Sequence, residues 1–412
     1  MIDKLKQNLI VFKLLDLQLV TMIAVLMSVG MLIMTSASID YALHKFDFEF
    51  HYAVRQLIFA IIGLVAAAII LLTPMSRWND WSWVCLLVGL LLLIAVLIPG
   101  VGREVNGSMR WIPIGPINFQ SSELAKVCIM IYLASYLVRR QKEIRETWLG
   151  FIKPIIVMSL MIILLLLEPD FGSAVVMIIA TMGMIFLGGV GLKQFVTIGC
   201  VALTAVVLMA VSSSYRMARL KCFVDPWQFQ FDCGYQLTQA LIAFGRGDFS
   251  GLGLGNSIQK LFYLPEAHTD FVFAILAEEL GFIGGVFVLM SFAALITKIL
   301  SIALKAQANG QFFNAYLAYG IALVVASQVF INIGVNTGVL PTKGLTLPFF
   351  SYGGSSLIMA MVMMGFVNRI AIEAKVGGES LVLMNDYAEK HVLIQKQISP
   401  SAALLPGRGV PS

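Results

Sequence analysis

Residues 18–37 read QLVTMIAVLMSVGMLIMTSA, an unbroken stretch without a charged side chain. At about 1.5 Å of rise per residue, such a stretch makes a helix of about 30 Å, the thickness of a bilayer's hydrocarbon core. The pattern repeats along the chain. Further apolar blocks centre on 54–73, 82–99, 121–138, 154–168, 172–190, 194–212, 269–297, 314–337 and 350–372. Backbone polar groups in lipid must be satisfied within each segment, so these blocks are expected to be helices and not open strands. The fold class that follows is an all-α integral membrane protein, a bundle of about ten transmembrane helices.

Composition points the same way. The 412 residues are 59% hydrophobic and 12% charged, about half the charged share of a soluble domain. That excludes a soluble enzyme, a secreted disulfide scaffold and a disordered protein. A cleaved signal peptide is disfavoured, because the run from Leu19 to Met34 is long for one and Asp3 and Asp16 dilute the positive charge before it. The net charge of +5 reports orientation in a membrane protein, and no nucleic-acid partner is expected.

An even number of spans puts both termini on one side. Placing them in the cytoplasm leaves 17 of the 28 lysines and arginines inside, with the 139–153 loop the richest cluster. The expected organisation is a cytoplasmic segment over 1–17, a membrane domain over 18–372 and a mobile cytoplasmic tail over 373–412. Residues 213–268 become a large extracytoplasmic loop, too long for a simple connector. Within it, Tyr235–Phe244 reads as an amphipathic helix suited to the membrane interface, with Leu237, Leu241 and Phe244 on one face. Cys222 and Cys233 share this loop and could pair there, although no spacing rule decides it. Cys85, Cys128 and Cys200 fall in apolar segments, where a thiol is a small hydrophobe.

Ionisable residues within or beside spans are the informative ones, because each is costly near the bilayer centre. Glu123 and Lys126 share a helix face and can pair, either as a structural ion pair or as a charged wall of a cavity. Glu168 and Asp170 flank Pro169 in a tight turn, where helix capping is the simpler reading. Glu266, His268 and Asp270 crowd three titratable groups into five residues, as acid–base sites require, although Thr269 or Asp270 could be a plain helix cap. Glu278 and Glu279 lie about two turns deeper, one expected to pair with a basic group and the other to face a polar cavity. Arg110, Lys343 and the Ser351–Ser356 cluster complete the set.

Most of these groups map to one side of the membrane. A transporter would be expected to place polar groups near the midplane and on both sides, usually with an internal repeat, and none is detectable. A nucleotide loop at Gly251–Gly255 is rejected for want of a strand–helix unit. Gly353-Gly354-Ser355 lacks the nucleophile-elbow pattern. His44, His51, His268 and His391 are too dispersed for a metal site.

Arg110-Trp111 followed by Phe119-Gln120-Ser121-Ser122-Glu123-Leu124-Ala125-Lys126 resembles a signature of the SEDS family of shape, elongation, division and sporulation proteins (FtsW, RodA, SpoVE). Glu168-Pro169-Asp170-Phe171-Gly172 and Leu264-Pro265-Glu266-Ala267-His268-Thr269-Asp270-Phe271 match as well. The strongest match runs from Asn332-Ile333-Gly334-Val335-Asn336 through Leu340-Pro341-Thr342-Lys343-Gly344 to Ser351-Tyr352-Gly353-Gly354-Ser355-Ser356. Ala267, where the elongation branch usually carries arginine, favours the division branch. Ser121 stands where the family commonly has proline.

The resemblance implies a peptidoglycan glycosyltransferase that polymerises lipid II at the outer face of the inner membrane, at the division septum. It implies a class B penicillin-binding transpeptidase, FtsI, as partner, and association with FtsQ, FtsL, FtsB and FtsN. It carries the catalytic role to Asp270. Polymerising an α-linked donor into β-1,4 strands inverts the sugar carbon, so one general base suffices. Undecaprenyl pyrophosphate leaves readily when cations stabilise it, and Arg110, Lys126 (oriented by Glu123) and Lys343 are candidates. His268, Ser351 and Tyr352 are expected to contact substrate. No ligand set dictates a metal, although a divalent cation could assist. The rival readings are a lipid II flippase and a non-catalytic activator of the transpeptidase.

Overall fold

The computed structural model describes residues 14–105, 108–115, 117–211, 217, 221–342 and 344–398. In chain order the elements are α1 (Leu17–Phe46), α2 (His51–Leu72), α3 (Met75–Asp80), α4 (Ser82–Val96), β1 (Arg103–Val105), β2 (Ser108–Ile114) and β3 (Ile117–Gln120). There follow α5 (Ser121–Arg139), α6 (Gln141–Glu146), α7 (Trp148–Leu167), α8 (Phe171–Leu187), α9 (Leu192–Val211) and α10 (Tyr235–Gly247). The last three are α11 (Val272–Ala308), α12 (Phe312–Asn336) and α13 (Gly354–Ile398). Each of the ten apolar blocks is a helix. Seven are long and apolar enough to cross a membrane, while α4, α8 and the Leu192–Ala202 part of α9 are shorter apolar helices.

Burial sorts the spans into two classes. More than four-fifths of the apolar windows of α5, α12 and α13 is buried, against a third for α1, α2, α7 and α11. The first three form the centre of the bundle, and the others present leucine, isoleucine and phenylalanine outward, as lipid-facing helices must. Ion pairs mark one end of this bundle. Asp16 caps α1 and pairs with Lys298 of α11 at 2.9 Å, and Lys375 donates to the Leu14 carbonyl. The start of α1 and the Lys375 part of α13 therefore lie at the same end of the bundle.

Four features depart from the sequence reading. First, the chain is not wholly helical: β1, β2 and β3 form an antiparallel meander, with Trp111 opposite Gln120 and Ile112 opposite Phe119. Second, α10 packs its apolar face against the bundle. Leu237, Ala240 and Ala243 are buried, and the Phe244 ring lies tilted against Phe273 of α11, centroids 6.0 Å apart. Third, α13 runs without interruption across 373 to Ile398, so the start of the expected tail is helical.

The fourth is a break in α11. Gly281 adopts a positive φ of 68°, and the segment after α10 enters the gap. Leu252 and Gly253 donate to the carbonyls of Glu278 and Glu279, and the amides of Phe282 and Ile283 donate to Asp248 and Phe249. Backbone groups freed by the break are thus re-used at these four bonds, as lipid demands. A Cβ on Gly251 would sit 2.2 Å from the Glu279 carbonyl oxygen, and one on Gly281 would sit 2.3 Å from the Gly251 nitrogen. Gly251 therefore serves close backbone approach. Cys222 and Cys233 are joined by a disulfide in the same loop region, with Cα atoms 5.9 Å apart.

Candidate active site

Asp270 lies in a turn at the end of the bundle away from the termini. The amides of Thr269, Asp270 and Phe271 all donate to the Glu266 carbonyl. Two asparagines of α12 hold this turn from behind. The Nδ2 groups of Asn332 and Asn336 each donate to the Asp270 carbonyl at 3.0 Å, and Asn332 Nδ2 also reaches the Leu345 carbonyl at 2.6 Å. Asn336 Oδ1 accepts from the Ala274 amide, satisfying one orphan donor at the start of α11. The cap position is Phe271, so neither Thr269 nor Asp270 caps the helix. Thr269 instead donates to Glu266.

The Asp270 carboxylate has no ion-pair partner among the described residues. It accepts no hydrogen bond from a described residue, and it presses on Gly344, where a Cβ would come within 2.9 Å of Oδ2. It remains partly exposed. Burial pushes its pKa up to about 7; the Glu266 carboxylate adds to the rise and the Arg110 guanidinium opposes it. This places the proton affinity near neutrality, where a general base is most effective.

The meander delivers Arg110 on β2. Its guanidinium rests on the turn between α7 and α8, with Nε donating to the Glu168 carbonyl at 3.3 Å, Nη2 donating to the Pro169 carbonyl, and Nη1 3.9 Å from Asp170. Its side chain keeps 26% exposure, so it can still meet an anion. Asp170 caps α8 through the Ser173 amide and also accepts from Ser122 and Gln120, which bears out the capping reading of this turn. Glu168 is wholly buried. One of its oxygens accepts from the Ser121 hydroxyl and the other has no partner among the described residues. Burial raises its pKa to about 8 against the pull of that hydroxyl, Asp170 raises it further, and Arg110 lowers it.

His268 is buried among Tyr41, Tyr52 and Tyr352, with ring centroids 4.7–5.9 Å away. Burial lowers its pKa to about 4, so it is neutral at physiological pH. Tyr352 is half-buried, and its amide donates to the His268 carbonyl at 2.9 Å.

Ser351 is buried and its hydroxyl accepts from the Leu347 amide, which shapes the turn. Lys126 is 1% exposed and pairs with Glu123 at 2.9 Å inside the bundle, the structural form of that pair. Lys343 lies outside the described residues. Among the described residues no group of three or more metal-ligating side chains gathers at one point.

Sequence reasoning gave Asn332 and Asn336 no role and overlooked Gln56, which clamps the 351–353 turn through the Ser351 carbonyl. The available signal was an amide side chain within an apolar helix, which must find a partner or pay for burial.

The chain belongs to the FtsW/RodA/SpoVE family of cell cycle proteins, whose model matches residues 17–376. A relative from Hahella chejuensis, named a probable peptidoglycan glycosyltransferase FtsW, is 53% identical over 365 residues, covering 89% of this chain and 92% of the relative. One of the same name from Pseudomonas fluorescens is 50% identical, covering 89% and 90%. Among solved structures, a chain of a peptidoglycan synthase complex that coordinates polymerization and crosslinking is 28% identical with a TM-score of 0.72, covering 87% of this chain and 98% of that one. The rod shape determining protein RodA of Thermus thermophilus is 28% identical with a TM-score of 0.65, covering 87% and 96%. The protein is thus a multi-pass membrane protein of this family.

Proposed function

We propose that this chain is an inverting peptidoglycan glycosyltransferase that polymerises lipid II into β-1,4 glycan strands. The end of the bundle bearing Asp270 faces outward from the inner membrane, with both termini cytoplasmic. The observation that carries the reading is the Asp270 carboxylate, locked at its backbone by two asparagines while its side chain accepts no hydrogen bond from a described residue and its pKa is raised to about 7.

Asp270 takes the proton from the acceptor 4-hydroxyl as that oxygen attacks the donor's anomeric carbon. The bond to undecaprenyl pyrophosphate breaks in the same step, and the pyrophosphate carries the electron pair away. Arg110 stabilises the developing negative charge, with Lys343 as a second cation. No general acid is needed, because pyrophosphate is a weak base. By the family's pattern the enzyme works at the division septum with the transpeptidase FtsI, and with FtsQ, FtsL, FtsB and FtsN. A partner that crosslinks the strands is supported by the likeness to a complex coordinating the two activities.

The test is purified protein given lipid II, with glycan length and leaflet exchange read separately. Asp270→Asn is expected to reduce polymerisation at least about a hundredfold, the usual contribution of a general base. Wild-type polymer from the variant would reject the role of Asp270, and leaflet exchange without polymer would favour a flippase.

A further inference from the structure

The segment 139–153 holds five cations, Arg139, Arg140, Lys142, Arg145 and Lys153, against two acids, Glu143 and Glu146. It lies at the end of the bundle away from Asp270. Ser135 of α5 donates to the Asn79 carbonyl of α3, and the Met75 amide that opens α3 donates to Glu373 of α13, beside Lys375. Orientation in a membrane accounts for the excess of cations at this end. It does not account for where Lys153 stands. Along α7, Leu149, Lys153, Ile156, Leu160, Ile163 and Leu167 recur at steps of four and three, which puts them on one helix face, and all six are exposed. Five are hydrocarbon, as a lipid-facing stripe requires. The sixth is an ammonium with 56% of its side chain exposed, about one turn in from Leu149.

The turn that carries Lys153 is firmly set. Thr147 caps α7 by accepting from the Gly150 amide, and a Cβ on Gly150 would sit 2.4 Å from the Glu143 carbonyl oxygen of α6. Pro154 has no amide to give the Gly150 carbonyl, and the Tyr136 hydroxyl of α5 bonds it instead at 2.9 Å. Glu143 is thereby held between two cations, 2.5 Å from Arg140 and 3.3 Å from Lys153. One carboxylate cannot balance both, and Arg139 and Lys142 stand exposed close by in the chain. Trp148, exposed at the start of α7, marks the headgroup level, where indole rings collect. From Ile156 to Leu167 the apolar stripe runs for about 16 Å, close to half of a hydrocarbon core of about 30 Å. A fixed surplus of positive charge therefore stands over one leaflet's depth of hydrocarbon.

We propose that the corner between α6 and α7 binds an anionic glycerophospholipid of the leaflet at this end, its phosphate between Arg140 and Lys153 and an acyl chain along Ile156, Leu160 and Ile163. A phosphate brings the negative charge that Glu143 alone does not supply, whereas a zwitterionic headgroup brings its own cation as well. Glu143 competes with the phosphate for the same two side chains. The inference does not rest on the glycosyltransferase reading; it needs only a membrane around this end of the bundle.

The experiment uses the full chain in neutral detergent, titrated with phosphatidylglycerol or with phosphatidylethanolamine of the same acyl chains, and reads the first bound lipid by native mass spectrometry. Phosphatidylglycerol is expected to bind more tightly. Lys153→Gln should weaken it about fivefold, and Lys153→Gln with Arg140→Gln about 25-fold, with phosphatidylethanolamine unchanged. Glu143→Gln should act in the opposite sense and tighten phosphatidylglycerol by up to about fivefold, because it frees both cations. Arg77→Gln, which removes an exposed cation of α3 at the same end, should change binding less than about twofold. Equal affinity for the two lipids would overturn the inference. So would an anionic preference that survives the double variant or falls as much with Arg77→Gln, which would make it a property of net charge alone. Unchanged or weaker binding in Glu143→Gln would also overturn it, because Arg140 and Lys153 would then serve only their own ion pairs.

Discussion

Asp270 and the pair Glu278–Glu279 lie within ten residues of one another, yet they are housed in opposite ways. Glu278 receives the Arg246 guanidinium at 2.9 Å, the Ser257 hydroxyl and the amides of Ile258 and Gln259. Glu279 receives Lys260 at 2.9 Å and the Ser36 hydroxyl at 2.6 Å. The expectation that one of the two would face a polar cavity does not hold, because each has a cation. Asp270, nearer the surface, receives no hydrogen bond from a described residue and holds its proton to about pH 7. Carboxylates that fasten the break in α11 are neutralised by charge and hydrogen bonds together. The one without a partner among the described residues has its backbone fastened in their place.

The largest expected difference is in stability. Lys260→Met strands the Glu279 charge in the interior and should cost about 3–5 kcal/mol, the usual penalty for halving a buried ion pair. Asp270→Asn removes a poorly solvated carboxylate and should leave thermal unfolding in detergent within about 1 kcal/mol of wild type. Equal losses for the two would erase the distinction between fastened and free carboxylates.

The next effect is on the acid limb of the pH–rate profile. Arg110 lowers the Asp270 pKa and Glu266 raises it. Arg110→Gln should therefore move the limb to higher pH, and Glu266→Gln should move it to lower pH, each by up to about one unit as for a near charge. Shifts in the same direction would show that some other group sets the limb.

A further effect concerns Glu168, whose pKa rises from 4.5 to about 8 on folding. The folded protein holds that proton more tightly, so its contribution to stability is complete below about 4.5 and is lost as pH rises through about 8. Glu168→Gln keeps the neutral shape and should flatten that decline by a few degrees of melting temperature between these limits. An unchanged slope would mean that another group causes it.

The ten helices were legible in the sequence because lipid permits so few backbone arrangements, and Asp270 was legible because titratable groups crowd around it. The break in α11 was not. It requires Gly251 and Gly281 to meet across thirty residues, and nothing in either local pattern states that the two approach. The meander escaped for a similar reason: its strands are short, lie between apolar blocks and pair only with one another. Asn332 and Asn336 were visible as letters, but their bond to the Asp270 carbonyl depends on how α12 packs behind the turn. The internal partners of Ser351 and Lys126 were not legible, because residue type and membrane depth do not reveal whether a polar group is already satisfied.

The central claim is tested most directly by kcat/KM for lipid II polymerisation between roughly pH 5 and 9, which reports the free enzyme's essential base. The wild type should gain about tenfold per pH unit up to a bend near the Asp270 pKa of about 7, then level off. Asp270→Asn should lose the bend together with at least about a hundredfold in rate. A wild-type rate that stays flat through the acid range, or an asparagine variant that keeps the same bend, would contradict the account.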